Sequence, residues 1–281
     1  MAHSSSPART PSRRLLVLAT LGGVLLLVLV VLGVAGLSGS GDSAAATRVV
    51  PPQPSTVAAL PADLSELPES TTHSTIEAAP LDPGPPEPTD GTVVHPRQQV
   101  PLFVAPGGPA FARIGPQQVG DTWLPVIAQQ PGWVQVLLPS RPNGSTGWLT
   151  VEGLERAVTP YLVRVHLRSL SMGLFSQGRL RGEWTIGIGK ESAPTPPGRT
   201  FMLGSFTDPK QTYSPIILPL GTHSPTLDSF GGGPGTVAIH TWPTGDVFGT
   251  RSSDGCIRVP PDALDQLTEA PLGTLVLIDE Q

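Results

Sequence analysis

The chain holds a single cysteine among its 281 residues, Cys256 in the stretch RSSDGCIRVP, and a histidine, His240, stands upstream of it in VAIHTW. A lone cysteine cannot close an intramolecular disulfide. Three readings remain: a buried apolar side chain, an intermolecular bridge or a reactive thiol. The surroundings favour the third. Gly255 lets the backbone turn closely and present amide N–H groups, and Arg258 brings positive charge near the sulfur. A free thiol titrates near ~8.5, and a neighbouring His or Arg draws it toward thiolate. A histidine within reach takes the thiol proton as general base and returns it to a leaving amine as general acid. Cysteine with histidine in this arrangement supports acyl transfer through a thioester.

The other polar candidates carry less chemistry. His223, in GTHSPTLDSF, either lines the cleft or holds a loop, and His166 alternates within YLVRVHL as a strand residue. His73 and His95 fall in a Pro-rich region. Ser252 and Ser253 lack the Gly-x-Ser-x-Gly elbow of a serine nucleophile, so Ser253 is expected to hydrogen-bond the Cys loop or a substrate. No Cys/His/Asp cluster has metal-ligand spacing, and no Gly-rich phosphate loop is present, so neither metal nor cofactor is expected. Asp262 reads as a first-turn charge of a helix.

The elements that must position Cys256 and His240 read as mostly β. YLVRVHL alternates strictly, LRSLSMGLF and RLRGEWTIGIG flank a Ser-Gln-Gly turn, and TFMLGSF, TVAIHTW and GTLVLID add strands. A proline start and the spacing of Leu264 and Leu267 predict one short helix at 261–269. These elements define a β-rich domain over 159–281 with its reactive residues at strand ends and loops. Residues 96–158 form a second unit of short strands and turns, in which Trp123, Trp133 and Trp148 are core or groove aromatics.

Upstream the composition changes. Residues 38–95 are rich in Pro (PPQP, PLDPGPPEP) and poor in aromatics, and the acids from Asp42 to Asp90 face Arg48 alone. That composition predicts a disordered acidic tether. The tether accounts for most of the net charge of −5. The remainder is near neutral, which argues against a nucleic-acid partner. Residues 15–37 are uninterrupted in apolar character, long enough at ~1.5 Å per residue to cross the ~30 Å hydrocarbon core. Arg9, Arg13 and Arg14 precede the run, placing 1–14 in the cytoplasm and the rest outside. An uncleaved anchor is expected. Ala44-Ala45-Ala46 leaves cleavage as the alternative.

IHTW followed by SSDGCIRV resembles the signature of the L,D-transpeptidases, the YkuD-type catalytic domain, and TPPGRTFMLG (195–204) and GGGPGTVAIH resemble further parts of it. The resemblance covers about 159–281. It implies that Cys256 is the nucleophile and His240 the base, with the Thr241 carbonyl orienting the imidazole. It further implies an oxyanion hole at the Gly255 and Cys256 amides, and an Arg258 that holds the loop or a substrate carboxylate; Ser253 and His223 join the candidate substrate contacts by position alone. The implied reaction is cross-linking of peptidoglycan stem peptides at a cell membrane facing the wall, with carbapenem β-lactams as inhibitors and no cofactor. Two positions depart from the family pattern: Thr241 stands where Gly is usual, and Asp254 where many members have a second His. VPLFVAPGG and GWLTVEGL give 96–158 a resemblance to bacterial Src-homology-3-like barrels. A sortase-like ligase is the second reading, opposed by the short His–Cys spacing. A papain-like peptidase would reverse the order of Cys and His. An inactive wall-binding scaffold is the third, supported by Thr241 and Asp254.

Overall fold

The computed structural model describes residues 55–230 and 233–281. The expected anchor at 15–37, its flank at 1–14 and residues 38–54 of the expected tether lie outside the described residues. Among the described residues no helix is long and apolar enough to cross a membrane.

Short alternating strands build the first unit. They are β1 (Thr92–Pro96), β2 (Val100–Phe103), β3 (Ala110–Ile114), β4 (Leu124–Gln130), β5 (Trp133–Leu137), β6 (Thr146–Thr150) and β7 (Leu154–Val158). They pair antiparallel in the order β3-β2-β6-β5-β4-β1-β7. Pro131-Gly132 makes the two-residue turn between β4 and β5, with Gly132 at φ 80°, a conformation that favours glycine. Trp133 and Trp148 pack with Phe103 in a small cluster on one side, the Trp133 and Phe103 rings edge to face at 5.2 Å. Trp123 is half-buried instead and stacks on His95, whose Nδ1 lies 2.8 Å from the Thr122 carbonyl.

The second unit follows with β8 (Tyr161–His166), β9 (Ser171–Ser176), β10 (Arg179–Thr185), β11 (Gly198–Phe201), β12 (Leu218–His223), β13 (Thr236–His240), β14 (Ile257–Arg258), α1 (Pro261–Leu267) and β15 (Leu275–Asp279). A five-stranded sheet runs β10-β9-β8-β15-β11, with β15 parallel to β8, and a three-stranded sheet runs β12-β13-β14. Gln177 (φ 51°) and Gly178 (φ 73°) turn β9 into β10, both in the left-handed region that a tight hairpin demands. Helix α1 buries Ala263, Leu264 and Leu267 in the core between the sheets. Proline at its first turn costs no hydrogen bond there.

The hydrophobic cores do not respect the boundary at 158/159. One cluster belongs to the second unit, from Val163 to Ile278. The other joins Leu102, Leu124 and Val136 of the first unit to Phe201, Leu203, Leu275 and Leu277 of the second. The two units therefore share buried apolar surface, and the boundary is a change of sheet rather than a flexible joint.

Residues 55–95 correct the tether expectation. They form an extended strap across both units, and Ile76 and Ala79 enter the shared core at 4% and 7% exposure. Backbone groups do most of the fastening. The Ser70 amide donates to Arg113 (2.8 Å), Ile76 to Arg141 (2.9 Å), and Thr146 to the Pro80 carbonyl (2.7 Å), while Trp133 Nε1 donates to Val57 (2.7 Å). Asp82 and Arg199 form a buried ion pair, each side chain 9% exposed. Composition misleads here because the strap is held edge-on through its main chain, which needs few apolar side chains. Prolines also reduce the entropy lost on ordering an extended segment. Residues 92–96 are not a linker end but the strand β1, paired to β4 and β7.

Candidate active site

Strands β13 and β14 run parallel, with Ile239 opposite Ile257 and His240 opposite Arg258. Side chains alternate along a strand, so Ile239 and Ile257 enter the core together, both at 0% exposure. His240 and Arg258 then share the other face, and Cys256, immediately before β14, emerges beside them. Cys256 and His240 line the same two cavities.

His240 is buried (6% exposed), and its Nδ1 lies 2.7 Å from the Thr241 carbonyl. A carbonyl only accepts, so Nδ1 carries the proton and Nε2 keeps its lone pair. Burial, with Arg258 adding to it, pushes the imidazole down to about 4, against the pull of its hydrogen bond to Thr241. Burial likewise pushes the Cys256 thiol up, and the Asp254 carboxylate adds to this, while a backbone bond to Ala238 and the Arg258 charge oppose it. Arg258 thus draws the sulfur toward thiolate, as the sequence led us to expect, but desolvation outweighs it. The resting pair is a neutral thiol and a neutral imidazole.

The loop that carries the sulfur is braced from behind. Gly255 sits at φ 112°, a conformation few side chains tolerate. Its carbonyl accepts from Thr195 Oγ1 (2.8 Å), which also accepts from the Gly189 amide (3.0 Å). The Gly255 amide donates to Ser253 Oγ (3.2 Å), and the Ser253 hydroxyl donates to the Cys256 carbonyl (2.6 Å). Ser253, 2% exposed, holds the Cys loop, one of its two expected roles, and it also lines the first cavity. The Gly255 amide, expected to serve an oxyanion, is engaged by that hydroxyl. His223 is corrected as well. It lines neither cavity, is 1% exposed, and its Nε2 lies 2.9 Å from the Thr72 carbonyl of the strap. Burial holds it at about 4.

Both departures from the family pattern have partners. The Thr241 hydroxyl donates to the Tyr213 carbonyl (2.9 Å) and its amide donates to Ser214 Oγ (3.0 Å), tying the 211–216 loop to the end of β13. Asp254 is paired to Lys190 at 2.6 Å while still lining the first cavity. Sequence reading missed Tyr213, whose ring stands 4.9 Å from the His240 ring, and Trp242, over which the Arg258 guanidinium sits at 3.9 Å. Trp242 lay within the quoted VAIHTW, so its position two residues past the base was an available signal. Tyr213 offered none, because only the Thr241 contacts bring its loop to the site. Arg258 also donates to Ser252 Oγ (3.2 Å) and lines the first cavity, and its buried Nε has no hydrogen-bond partner among the described residues. Among the described residues no group of His, Cys, Asp and Glu could hold a metal ion.

A buried base with a fixed tautomer, a half-buried thiol on the same sheet face and a cationic side chain at the rim can do thiol-based acyl transfer. Residues 160–278 match the family model of YkuD, the L,D-transpeptidase catalytic domain. No curated protein matches the chain. Among solved structures, the Ldtfm–avibactam carbamoyl enzyme is 25% identical, covering 43% of this chain and 49% of its own, with a TM-score of 0.34. An L,D-transpeptidase from Mycobacterium smegmatis is 14% identical over 56% of this chain and 99% of its own, TM-score 0.36. L,D-transpeptidase 3 from Mycobacterium tuberculosis, in complex with a faropenem-derived adduct, is 12% identical over 56% and 93%, TM-score 0.38. This chain spans about half the length of the first of these.

Proposed function

We propose that this chain, in which residues 160–278 match the L,D-transpeptidase catalytic domain, is an acyltransferase that cross-links peptidoglycan stem peptides through a thioester on Cys256. The observation that carries the proposal is the Thr241 carbonyl on His240 Nδ1, which leaves Nε2 as a base on the sheet face that presents Cys256.

The chemistry starts from two neutral groups. As Cys256 Sγ attacks the carbonyl of the diamino acid at stem position three, His240 Nε2 takes the thiol proton, so no free thiolate has to be buried. The oxyanion is received by the Cys256 amide, since the Gly255 amide is already engaged by Ser253. The C–N bond to the terminal D-Ala breaks as the imidazolium returns its proton to the leaving amine. The side-chain amine of a second stem then attacks the thioester and loses its proton to His240, which returns it to the departing sulfur. One amide is exchanged for another in a three-to-three cross-link, and no cofactor or nucleotide is consumed. Arg258, stacked on Trp242, receives a substrate carboxylate at the first cavity.

The cellular setting completes the proposal. The apolar run 15–37, with its arginine flank, anchors the protein once in the membrane, and the units from residue 55 onward face the cell wall. The sheet of 92–158 is a Src-homology-3-like wall-facing module. Carbapenems inhibit by acylating the same sulfur. Intact-protein mass spectrometry after carbapenem treatment tests this: one drug mass on the wild type and none on Cys256→Ala is expected. An adduct that persists in Cys256→Ala overturns the mechanism.

A further inference from the structure

Two cavities converge on Cys256 and His240, and they differ in what builds them. The first, about 140 Å³, is walled wholly by residues after 200. The second, about 380 Å³, takes part of its wall from Thr72 and His73 of the strap and Val119 of the first unit. A segment with the composition of a linker thus stands at an approach to the nucleophile.

That wall is fixed rather than incidental. Residues 71–74 form a tight turn, the Ser74 amide donating to the Thr71 carbonyl (3.2 Å) and the His73 amide to Thr71 Oγ1 (3.2 Å). The turn is gripped on both sides by the bonds of Ser70 to Arg113 and Ile76 to Arg141. From below, His223 Nε2 donates to the Thr72 carbonyl. The His73 side chain is exposed, its Nδ1 lies 3.3 Å from Thr72 Oγ1, and its other ring nitrogen is engaged by no described residue.

Charge separates the two approaches. Arg258 gives the first cavity a cation beside the Asp254 carboxylate, which is paired to Lys190, whereas no described Arg or Lys lines the second. Asp208 gives the second cavity a carboxylate, one oxygen of which accepts the Lys210 amide (2.9 Å). A peptide presenting a carboxylate suits the first, and a peptide presenting an ammonium suits the second.

We infer that His73 is a specificity-determining residue for the amine-bearing acceptor peptide, which reaches the thioester through the second cavity. The ammonium approaches on the Asp208 side and the free ring nitrogen of His73 hydrogen-bonds the acceptor's main chain. The strap is then part of the acceptor site. This inference rests on the transpeptidase reading, and the experiment separates the two. The full chain is given a disaccharide-tetrapeptide as donor and a stem tripeptide as acceptor, which lacks the D-Ala needed to act as donor. Acyl-enzyme formation and cross-link formation are followed separately by mass spectrometry. His73→Ala is expected to raise the KM for the tripeptide about threefold to tenfold, the loss of one hydrogen bond, while acylation by the donor changes less than twofold. His73→Gln, which keeps a donor and an acceptor, restores most of the affinity, and Asp208→Asn raises the same KM. Melting temperatures of all variants are compared, so that a fall in both half-reactions with unchanged melting overturns the acceptor assignment. An unchanged tripeptide KM in His73→Ala overturns it too. Failure of the wild type to acylate at all brings down the transpeptidase reading and this inference with it.

Discussion

The reacting pair is held neutral, and this fixes how its activity depends on pH. His240 titrates at about 4, pushed down first by burial and then by Arg258, so Nε2 remains a base well below the usual histidine range. The acylation rate constant, kcat/KM for a β-lactam, is expected to be level from about pH 7 down to about 5 and to fall only near 4. A midpoint near the ordinary ~6.5 in a stopped-flow pH profile counts against a buried base. His240→Ala is expected to slow acylation by about 10²–10⁴-fold. Thr241→Val keeps the carbonyl on Nδ1 but removes the hydroxyl that ties the Tyr213 loop. It is expected to slow acylation by about threefold to tenfold, the loss of one hydrogen bond, with the pH profile unmoved. A displaced pH midpoint in that variant would mean that the hydroxyl also sets the imidazole. At this scale the meeting of Cys256 and His240 at one pair of cavities was legible, because a lone cysteine and an upstream histidine drew attention to the same place. The neutral resting state was not, because it depends on how much chain covers the sulfur and the ring.

Among the elements, the strap is the one whose role the sequence concealed. Strands β8 to β10, α1 and the 177–178 turn are local patterns, and alternation, proline and glycine positions carry them. Residues 55–95 have no such pattern, since their partners are main-chain groups far along the chain and a single buried ion pair. Breaking that pair measures how firmly the strap is held. Asp82→Asn leaves Arg199 charged, enclosed and without its carboxylate, a kind of change that typically costs about 3–5 kcal/mol. Differential scanning calorimetry is expected to show a clear fall in melting temperature, with tryptic cleavage appearing in 55–90. Joint replacement by Asp82→Leu and Arg199→Met is expected to recover much of the loss. No recovery in the double variant would locate the effect in the charged geometry itself.

For the whole molecule, the buried histidines make stability depend on acidity. His223 and His240 both titrate at about 4 in the folded protein, for the same first cause, burial. In the unfolded chain they return to about 6.5. Between those values the unfolded chain binds protons that the folded chain refuses, so stability is full above about 6.5 and declines as pH falls toward 4. The slope is about 1.4 kcal/mol per pH unit for each histidine. Urea denaturation at pH 7 and pH 5 is expected to show this loss, and His223→Gln is expected to reduce it. A pH-independent midpoint would mean that these rings take up protons alike in the folded and unfolded chains. The shared core across 158/159 also predicts that residues 159–281 expressed alone are far less stable than 55–281.

The placement of β15 between β8 and β11 has a consequence for the order of synthesis. Strand β8 finds a partner in residues 275–279, the strap finds its anchors at Arg199 and His223, and the loop bearing Cys256 leans on residues 189–195. These contacts are non-local, and a chain emerging from its N-terminus makes them last. A nascent chain stalled before residue 275 carries the cysteine but lacks the strand that joins β8 to β11. The order of synthesis therefore leaves the five-stranded sheet in two pieces until its last-made strand is in place.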